Sequence, residues 1–302
     1  MKEIRLSNGV MIPAIGFGPM ILNYGKVLRI SRFNLPLRVY NKFFKTSFDR
    51  RRYVESISGA IKQGFRLIDF SASYRNMWAI GVAVKKSGIK RGELFLTGRI
   101  SNGAQFAGRT KVKEQVYQIL KEYATDYLDL LMFHWPVTDC FLDTWAEICE
   151  LYKNGVARSV GVANCEEEHL SQLLMSDTKP MVNQIEVHPL FSNQNVVELC
   201  QKSGIVVESY TPLARMDDRL FRLPKLKTIA KNCNKTTVQV VLRWHIQKGL
   251  VPCVRCLKTE HQIDALNIFD FSLSKEEMGY IDSLNINSRL RYDPKNCDFT
   301  IV

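Results

Sequence analysis

The chain has 302 residues, 46% hydrophobic and 24% charged, a balance that excludes disordered, collagenous and coiled-coil classes and suits one large globular domain or two small ones. Its formal net charge of +12 points to anionic partners and says little about fold. The eight cysteines (Cys140, Cys149, Cys165, Cys200, Cys233, Cys253, Cys256 and Cys297) form no dense framework and sit mostly in apolar helix or strand patterns, so reduced thiols in a cytoplasmic protein are expected. Cys253 and Cys256 make a C-x-x-C, but in a buried strand and its exit, with no second Cys/His pair at ligand spacing; no metal site is expected.

Along the chain, the first signal is Asn8-Gly9 between Leu6 and Val10, which predicts a β-hairpin with a two-residue turn, capping the floor of the fold. The uncharged stretch 7–25 is short in apolar core and broken by Pro13, Pro19 and several glycines, which argues against a membrane span or signal segment. A first strand is predicted at 14–17. Short apolar runs then recur at 67–69, 94–97, 127–134, 157–162, 181–186, 206–210 and 250–254. Helical spacing fills the gaps at 54–63, 78–86, 112–123, 142–152, 167–175, 196–203 and 238–247. A last helix over 275–284 opens on the capping pair Ser274 and Glu277, and a polar tail covers 285–302. Eight strands alternating with helices demand parallel pairing with right-handed crossovers. The fold class is therefore α/β, a single (β/α)8 barrel domain over 1–302, with a doubly wound sheet as the second arrangement.

One segment breaks the alternation. Roughly thirty residues, an insertion at 21–50, separate the first strand from its helix, where a few suffice. Across 21–52 stand Lys26, Arg29, Arg32, Arg38, Lys42, Lys45, Arg50, Arg51 and Arg52 against the single acid Asp49, interleaved with aromatic residues. In a parallel barrel this loop leaves on the catalytic rim. A cationic lid over the mouth is expected, gripping phosphates or selecting an anionic substrate.

Titratable residues gather at the predicted strand ends. Asp69 closes the apolar run 65–68, Tyr74 lies five residues on, and His134 closes the run 127–133. Side chains just past strand ends meet at one rim of a parallel barrel. A Tyr, an Asp and a His there suggest proton transfer to a carbonyl oxygen.

The run Ile68-Asp69-Phe70-Ser71-Ala72-Ser73-Tyr74 with Phe133-His134-Trp135-Pro136 resembles the aldo-keto reductase superfamily, over nearly the whole chain. The resemblance implies a TIM barrel and hydride transfer between NADP(H) and a carbonyl, with Tyr74 as proton donor, Asp69 as its supporting carboxylate and His134 orienting the carbonyl. Arg99, in Phe95-Leu96-Thr97-Gly98-Arg99, stands where the family carries Lys. It keeps the charge, and bulk and planarity put its placement of Tyr74 in doubt. Restoring Lys is expected to raise turnover on simple aldehydes.

For the cofactor, Asn164 and Gln184 match residues that bond the carboxamide, Ala163 replaces the family's Ser, and Tyr210, in Ser209-Tyr210-Thr211-Pro212-Leu213, matches the ring under nicotinamide, with Thr211 and Leu213 beside it. The adenosine-phosphate motif reads Arg255, Cys256, His261, Asp264 and Ala265, keeping one firm cation. Pro19 and Met20 replace the usual Thr and Tyr. His188, His245 and His169 are expected to be satisfied structural histidines. Together these imply an NADP-dependent oxidoreductase, slow or specialised for an anionic carbonyl or alcohol substrate, as a monomer or weak oligomer. The alternative is a non-catalytic nucleotide-binding or regulatory module. No base-reading motif supports a nucleic-acid partner.

Overall fold

Residues 2–19, 46–74 and 77–301 are described by the computed structural model. β1 (Glu3–Arg5) and β2 (Met11–Pro13) form the antiparallel hairpin, with Ile4 opposite Ile12. Its turn is wider than the two-residue turn the sequence predicts. Leu6 N–H donates to Val10 O, and Ser7, Asn8 and Gly9 lie between, with Gly9 in the left-handed region. Asn8 Oδ1 accepts from Val10 N–H and its amide reaches Arg158 O, just ahead of the seventh strand. That contact puts the hairpin at the strand-start end, opposite the site described below.

The remaining strands, β3 (Gly16–Phe17), β4 (Leu67–Ile68), β5 (Phe95–Ile100), β6 (Leu130–Phe133), β7 (Val160–Ala163), β8 (Val182–Glu186), β9 (Val206–Tyr210) and β10 (Val251–Val254), pair in parallel and close into one barrel in chain order. The doubly wound alternative is thereby excluded. β10 closes onto β3, with Cys253 opposite Gly16. Gly161 is needed in β7, because a Cβ there would stand 2.6 Å from Val182 O of the neighbouring strand.

Helices cover the outside. α1 (Thr46–Gln63) begins eight residues earlier than its apolar periodicity suggests, so Arg50, Arg51 and Arg52 of the basic segment are helical. Of the lid expected over 21–52, residues 21–45 lie outside the described residues, and 46–52 belong to α1. α2 (Trp78–Ser87), α3 (Asn102–Phe106), α4 (Arg109–Tyr123), α5 (Phe141–Lys153), α6 (Glu167–Leu173) and α7 (Gln194–Lys202) follow their strands. Behind β9 come α8 (Asp218–Phe221), α9 (Pro224–Asn232) and α10 (Thr237–Gln247), and α11 (Thr259–Leu266) and α12 (Lys275–Asp282) follow β10. The short α3, α8, α9 and α11 have too few apolar repeats to show in the sequence. The Ser274–Glu277 capping box forms as its pattern predicts, with Ser274 N–H donating to Glu277 Oε2 at 2.8 Å and Glu277 N–H to Ser274 Oγ at 3.2 Å. Among the described residues no helix is long and apolar enough to cross a membrane.

Packing satisfies His245 and engages His169, while His188 is bonded on one nitrogen and leaves its buried Nδ1 without a partner among the described residues. His245 is buried between Ser209 Oγ and Pro212 O, and burial lowers its pKa to about 3. Buried His188 bonds Glu186, and His169 accepts from Glu166 N–H to cap α6. All eight cysteines are free thiols.

Candidate active site

β4 ends at Ile68 and Asp69 turns inward, its N–H held by Phe17 O of β3. A short 3-10 turn over Ala72–Tyr74 then brings the Tyr74 ring edge-on to Phe70, 5.2 Å between centroids. Arg99, two residues beyond the predicted run 94–97, lies inside β5, which runs on to Ile100 because four consecutive residues pair with β6. The guanidinium therefore projects into the barrel and is 3% exposed.

There it reaches several partners at once. Nη2 donates to Asp69 Oδ2 at 2.9 Å and to Tyr74 Oη at 3.0 Å, Nη1 donates to Gln184 Oε1, and Nε lies 3.5 Å from Phe70 O. Burial opposes the Arg99 charge, but Asp69, Tyr74 and Glu208 outweigh it and hold the group firmly protonated. Tyr74 is pulled both ways. Burial raises its pKa, Arg99 works against that, and burial wins, so the hydroxyl keeps its proton at neutral pH. The phenolate-favouring effect of the cation that the sequence suggests is present but is not the larger effect.

His134 stands on the same cavity, its ring 6.0 Å from that of Tyr74. Nδ1 lies 3.2 Å from Ser71 Oγ and 3.3 Å from Ser73 Oγ, while Nε2 has no hydrogen-bond partner among the described residues. Burial, then Arg99 and Arg291, push its pKa well below the ordinary histidine range, so the ring is neutral. A neutral ring accepting at Nδ1 from a serine hydroxyl carries its proton on Nε2 and presents a donor.

These groups border a cavity of about 400 Å³ at the strand-end rim. Asp69, Tyr74, Arg99, His134, Asn164, Gln184, Tyr210, Thr211, Leu213 and Arg255 all line it, as their positions in the sequence suggest. Asn164 is held on both sides: its amide donates to His134 O at 2.8 Å and its carbonyl accepts from Tyr210 Oη at 2.7 Å. His261 and Asp264 are not brought to the cavity; they are exposed on α11, with Cys256 and Ala265 buried beneath. Met20 lies outside the described residues, and Pro19 O accepts from Tyr53 of α1 at 2.6 Å.

One wall of the cavity is strained. After β9, Thr211, Ala214, Arg215 and Met216 all have positive φ, between 46° and 61°, which for a β-branched residue such as Thr211 is costly. The buried Thr211 hydroxyl has no partner among the described residues, and neither the Arg215 nor the Arg255 guanidinium has an ion pair there. Unsatisfied donors along an open wall fit a phosphate-bearing cofactor such as NADP(H).

Two lining groups and one group beneath them escape sequence reasoning. Glu208 of β9 is fully buried, accepts from Gln184 Nε2 at 2.7 Å and from the Cys253 thiol at 3.9 Å, and leaves Oε1 without a partner. The two-residue period of a strand places it on the face of Tyr210, a signal the sequence does carry. Burial first, then the charge of Asp69, raises its pKa to about 8 against the opposing pull of Gln184 and Arg99. A buried carboxyl with a raised pKa stabilises the fold below the ordinary carboxylate range, and that contribution is lost as pH rises through about 8. Glu208→Gln is therefore expected to gain stability over the parent as pH rises from 5 to 9, by about a few kcal/mol at most. Melting curves at several pH values check this, and a difference independent of pH would contradict it. Arg215 and Arg291, both lining the cavity, carry no signal in the sequence.

Comparison with known proteins places this geometry. The model of the Aldo/keto reductase family matches residues 40–286. A glyoxal reductase of Bacillus subtilis is 36% identical over 292 residues, 96% of this chain and 95% of that protein. Among solved structures, an aldo-keto reductase from a Medee basin deep-sea metagenome library superposes with a TM-score of 0.85 at 29% identity, covering 98% of this chain and 99% of that one. A Bombyx mori aldo-keto reductase solved in complex with NADP gives 0.82 at 26% identity, covering 96% and 95%. With a barrel closed in chain order and a Tyr, an Asp and a His around one buried cation at its rim, the chain belongs to the aldo/keto reductase family and is an oxidoreductase of that type.

Proposed function

We propose that the chain is an NADP(H)-dependent carbonyl reductase in which Tyr74 protonates the substrate oxygen. The observation that carries this is the shared hold of Arg99 Nη2 on both Tyr74 Oη and Asp69 Oδ2 beside neutral His134. Bound NADPH would supply the hydride to the carbonyl carbon. Tyr74 Oη–H and His134 Nε2–H both face the place of the carbonyl oxygen. As that oxygen gains negative charge the Tyr74 proton moves to it, giving the alcohol. The phenolate left behind stands 3.0 Å from Arg99 Nη2, and Asp69 keeps that guanidinium in place until water returns the proton.

Asn164, Gln184, Tyr210, Thr211, Leu213 and Arg255 are the residues that would hold the cofactor. Arg255, exposed at the end of β10, suits the 2′-phosphate. The free thiols fit a cytoplasmic protein. The test is a fluorescence titration with NADPH and with NADH, followed by NADPH oxidation with glyoxal, the substrate in the name of the Bacillus relative. Preference for NADPH and saturable turnover are expected. Equal affinity for the two nucleotides would remove Arg255 from the phosphate. Tight NADPH binding without oxidation by any aldehyde would favour the non-catalytic module, the reading that Arg99, Ala163 and Ala265 support.

A further inference from the structure

We infer that Arg291 is a carboxylate-binding residue, and that the substrate is an oxo acid held with its carbonyl at Tyr74 and His134 and its carboxylate against the Arg291 guanidinium. This rests on the carbonyl-reductase reading and names its substrate class.

The segment that delivers Arg291 is pinned almost residue by residue. Ile286 and Ser288 N–H donate to Leu190 O. Arg289 pairs with Glu166 at 2.8 Å and lies over the Phe191 ring. Buried Glu186, at the end of β8, then takes two successive backbone donors, Leu290 N–H on Oε1 at 2.6 Å and Arg291 N–H on Oε2 at 2.9 Å, while His188 Nε2 also bonds Oε1. A fully buried carboxylate devoted to two adjacent amides fixes where residue 291 begins, whatever its side chain.

The side chain itself has its guanidinium 5.7 Å from the centre of the Tyr292 ring, with its hydrogen-bond donors uncommitted among the described residues. Its neighbours in the segment, Arg289 and Lys295, pair with Glu166 and Glu168. The Arg291 guanidinium has no ion pair among the described residues and is half-buried on the cavity wall. Among the described residues, four arginines line that cavity (99, 215, 255 and 291) against one carboxylate, Asp69, which Arg99 already engages. Of the four, Arg99 and Arg291 are the ones whose charge reaches both His134 and Tyr74. Arg99 is spent inside the barrel, so Arg291 is the cation offered to a ligand at the reacting end. Arg215 and Arg255 follow β9 and β10, and neither appears among the charges that act on His134 or Tyr74.

A guanidinium with no internal ion pair or hydrogen bond among the described residues, partly shielded from water and rigidly based, binds a carboxylate through charge-assisted hydrogen bonds. Removing one such contact costs roughly 10- to 100-fold in binding or specificity. The probes are glyoxylate and its neutral ester methyl glyoxylate, which share the reacting aldehyde. The parent is expected to favour the acid, and Arg291→Gln to lower the acid-to-ester ratio of kcat/KM by about 10- to 100-fold, with Arg291→Lys recovering part of it. The Glu186 clamp holds residue 291 by its backbone N–H alone, so the variants should fold, which their melting temperatures check. A ratio unchanged within about twofold would overturn the inference. Glyoxylate binding to the NADP⁺-saturated protein by calorimetry decides the matter independently of turnover. Binding lost in Arg291→Gln upholds the site, while binding unchanged, or absent in the parent, rejects it. Failure of the reductase reading shows separately, as no NADPH oxidation with either probe.

Discussion

Tyr74→Phe is expected to lower kcat/KM for carbonyl reduction by roughly 10²- to 10⁴-fold, the usual contribution of a positioned general acid. The loss should fall on kcat, because the phenol proton is transferred only as the carbonyl oxygen gains charge. The ring remains: its edge contact with Phe70 needs no hydroxyl. Arg99 Nη2 keeps Asp69 when Tyr74 Oη is gone, so the fold should lose no more than about 1 kcal/mol. Steady-state NADPH oxidation together with a thermal melt checks both halves. A variant that reduces aldehydes within a few-fold of the parent would remove Tyr74 from the proton-donor role.

Arg99→Met should act on stability as well as rate. It strands buried Asp69, whose Oδ1 already has no partner, and leaves Gln184 Oε1 without its donor. Breaking a buried pair by removing one partner costs about 3–5 kcal/mol. Denaturant midpoints should show this loss, and an unchanged midpoint would mean the guanidinium carries little of the barrel's stability.

Arg99→Lys is the sharper comparison. From sequence alone Lys looks like a repair, since an ammonium is compact and could take up the family arrangement. The geometry favours the opposite outcome. One planar fork serves Asp69 and Tyr74 from Nη2, Gln184 from Nη1 and approaches Phe70 O from Nε. An ammonium offers its three donors from a single point, and Gln184 would be left between Glu208 and an unfilled space. Turnover is expected to fall in this variant. A rise would show that the guanidinium is a handicap to which the surrounding residues have not adapted.

Much of the site was legible because strand ends and side-chain alternation are local properties. Asp69, His134, Asn164 and Tyr210 each close an apolar run, and such runs survive boundary errors of one or two residues. Arg99 falls two residues past the predicted run 94–97 and yet inside β5, which continues three residues past that run through pairing with β6, a neighbour that local sequence does not display. Glu208 was overlooked as one acid in an apolar run, although its parity with Tyr210 marks it as facing inward. Arg291 was beyond reach. Its place depends on Glu186, more than a hundred residues away in the chain, and the polar segment around it reads as an unstructured tail. His261 and Asp264 follow the motif's spacing onto α11, where both side chains are exposed outside the cavity lining.

The clamp on Glu186 also joins distant parts of the chain into one equilibrium. Residues 286–299 contribute no strand to the barrel; they pack on β8, on α6 through Lys295 and Glu168, and on α3, where the Asn102 amide donates to Phe299 O and the Phe299 ring is buried against Trp135 and Val137. A segment outside the strand ladder opens more readily than the barrel beneath it. Any ligand gripped between the two stabilises the docked state by its own binding free energy. Amide protons of Leu290 and Arg291 should then exchange more slowly with ligand present, reporting occupancy from the segment that the sequence made look least ordered.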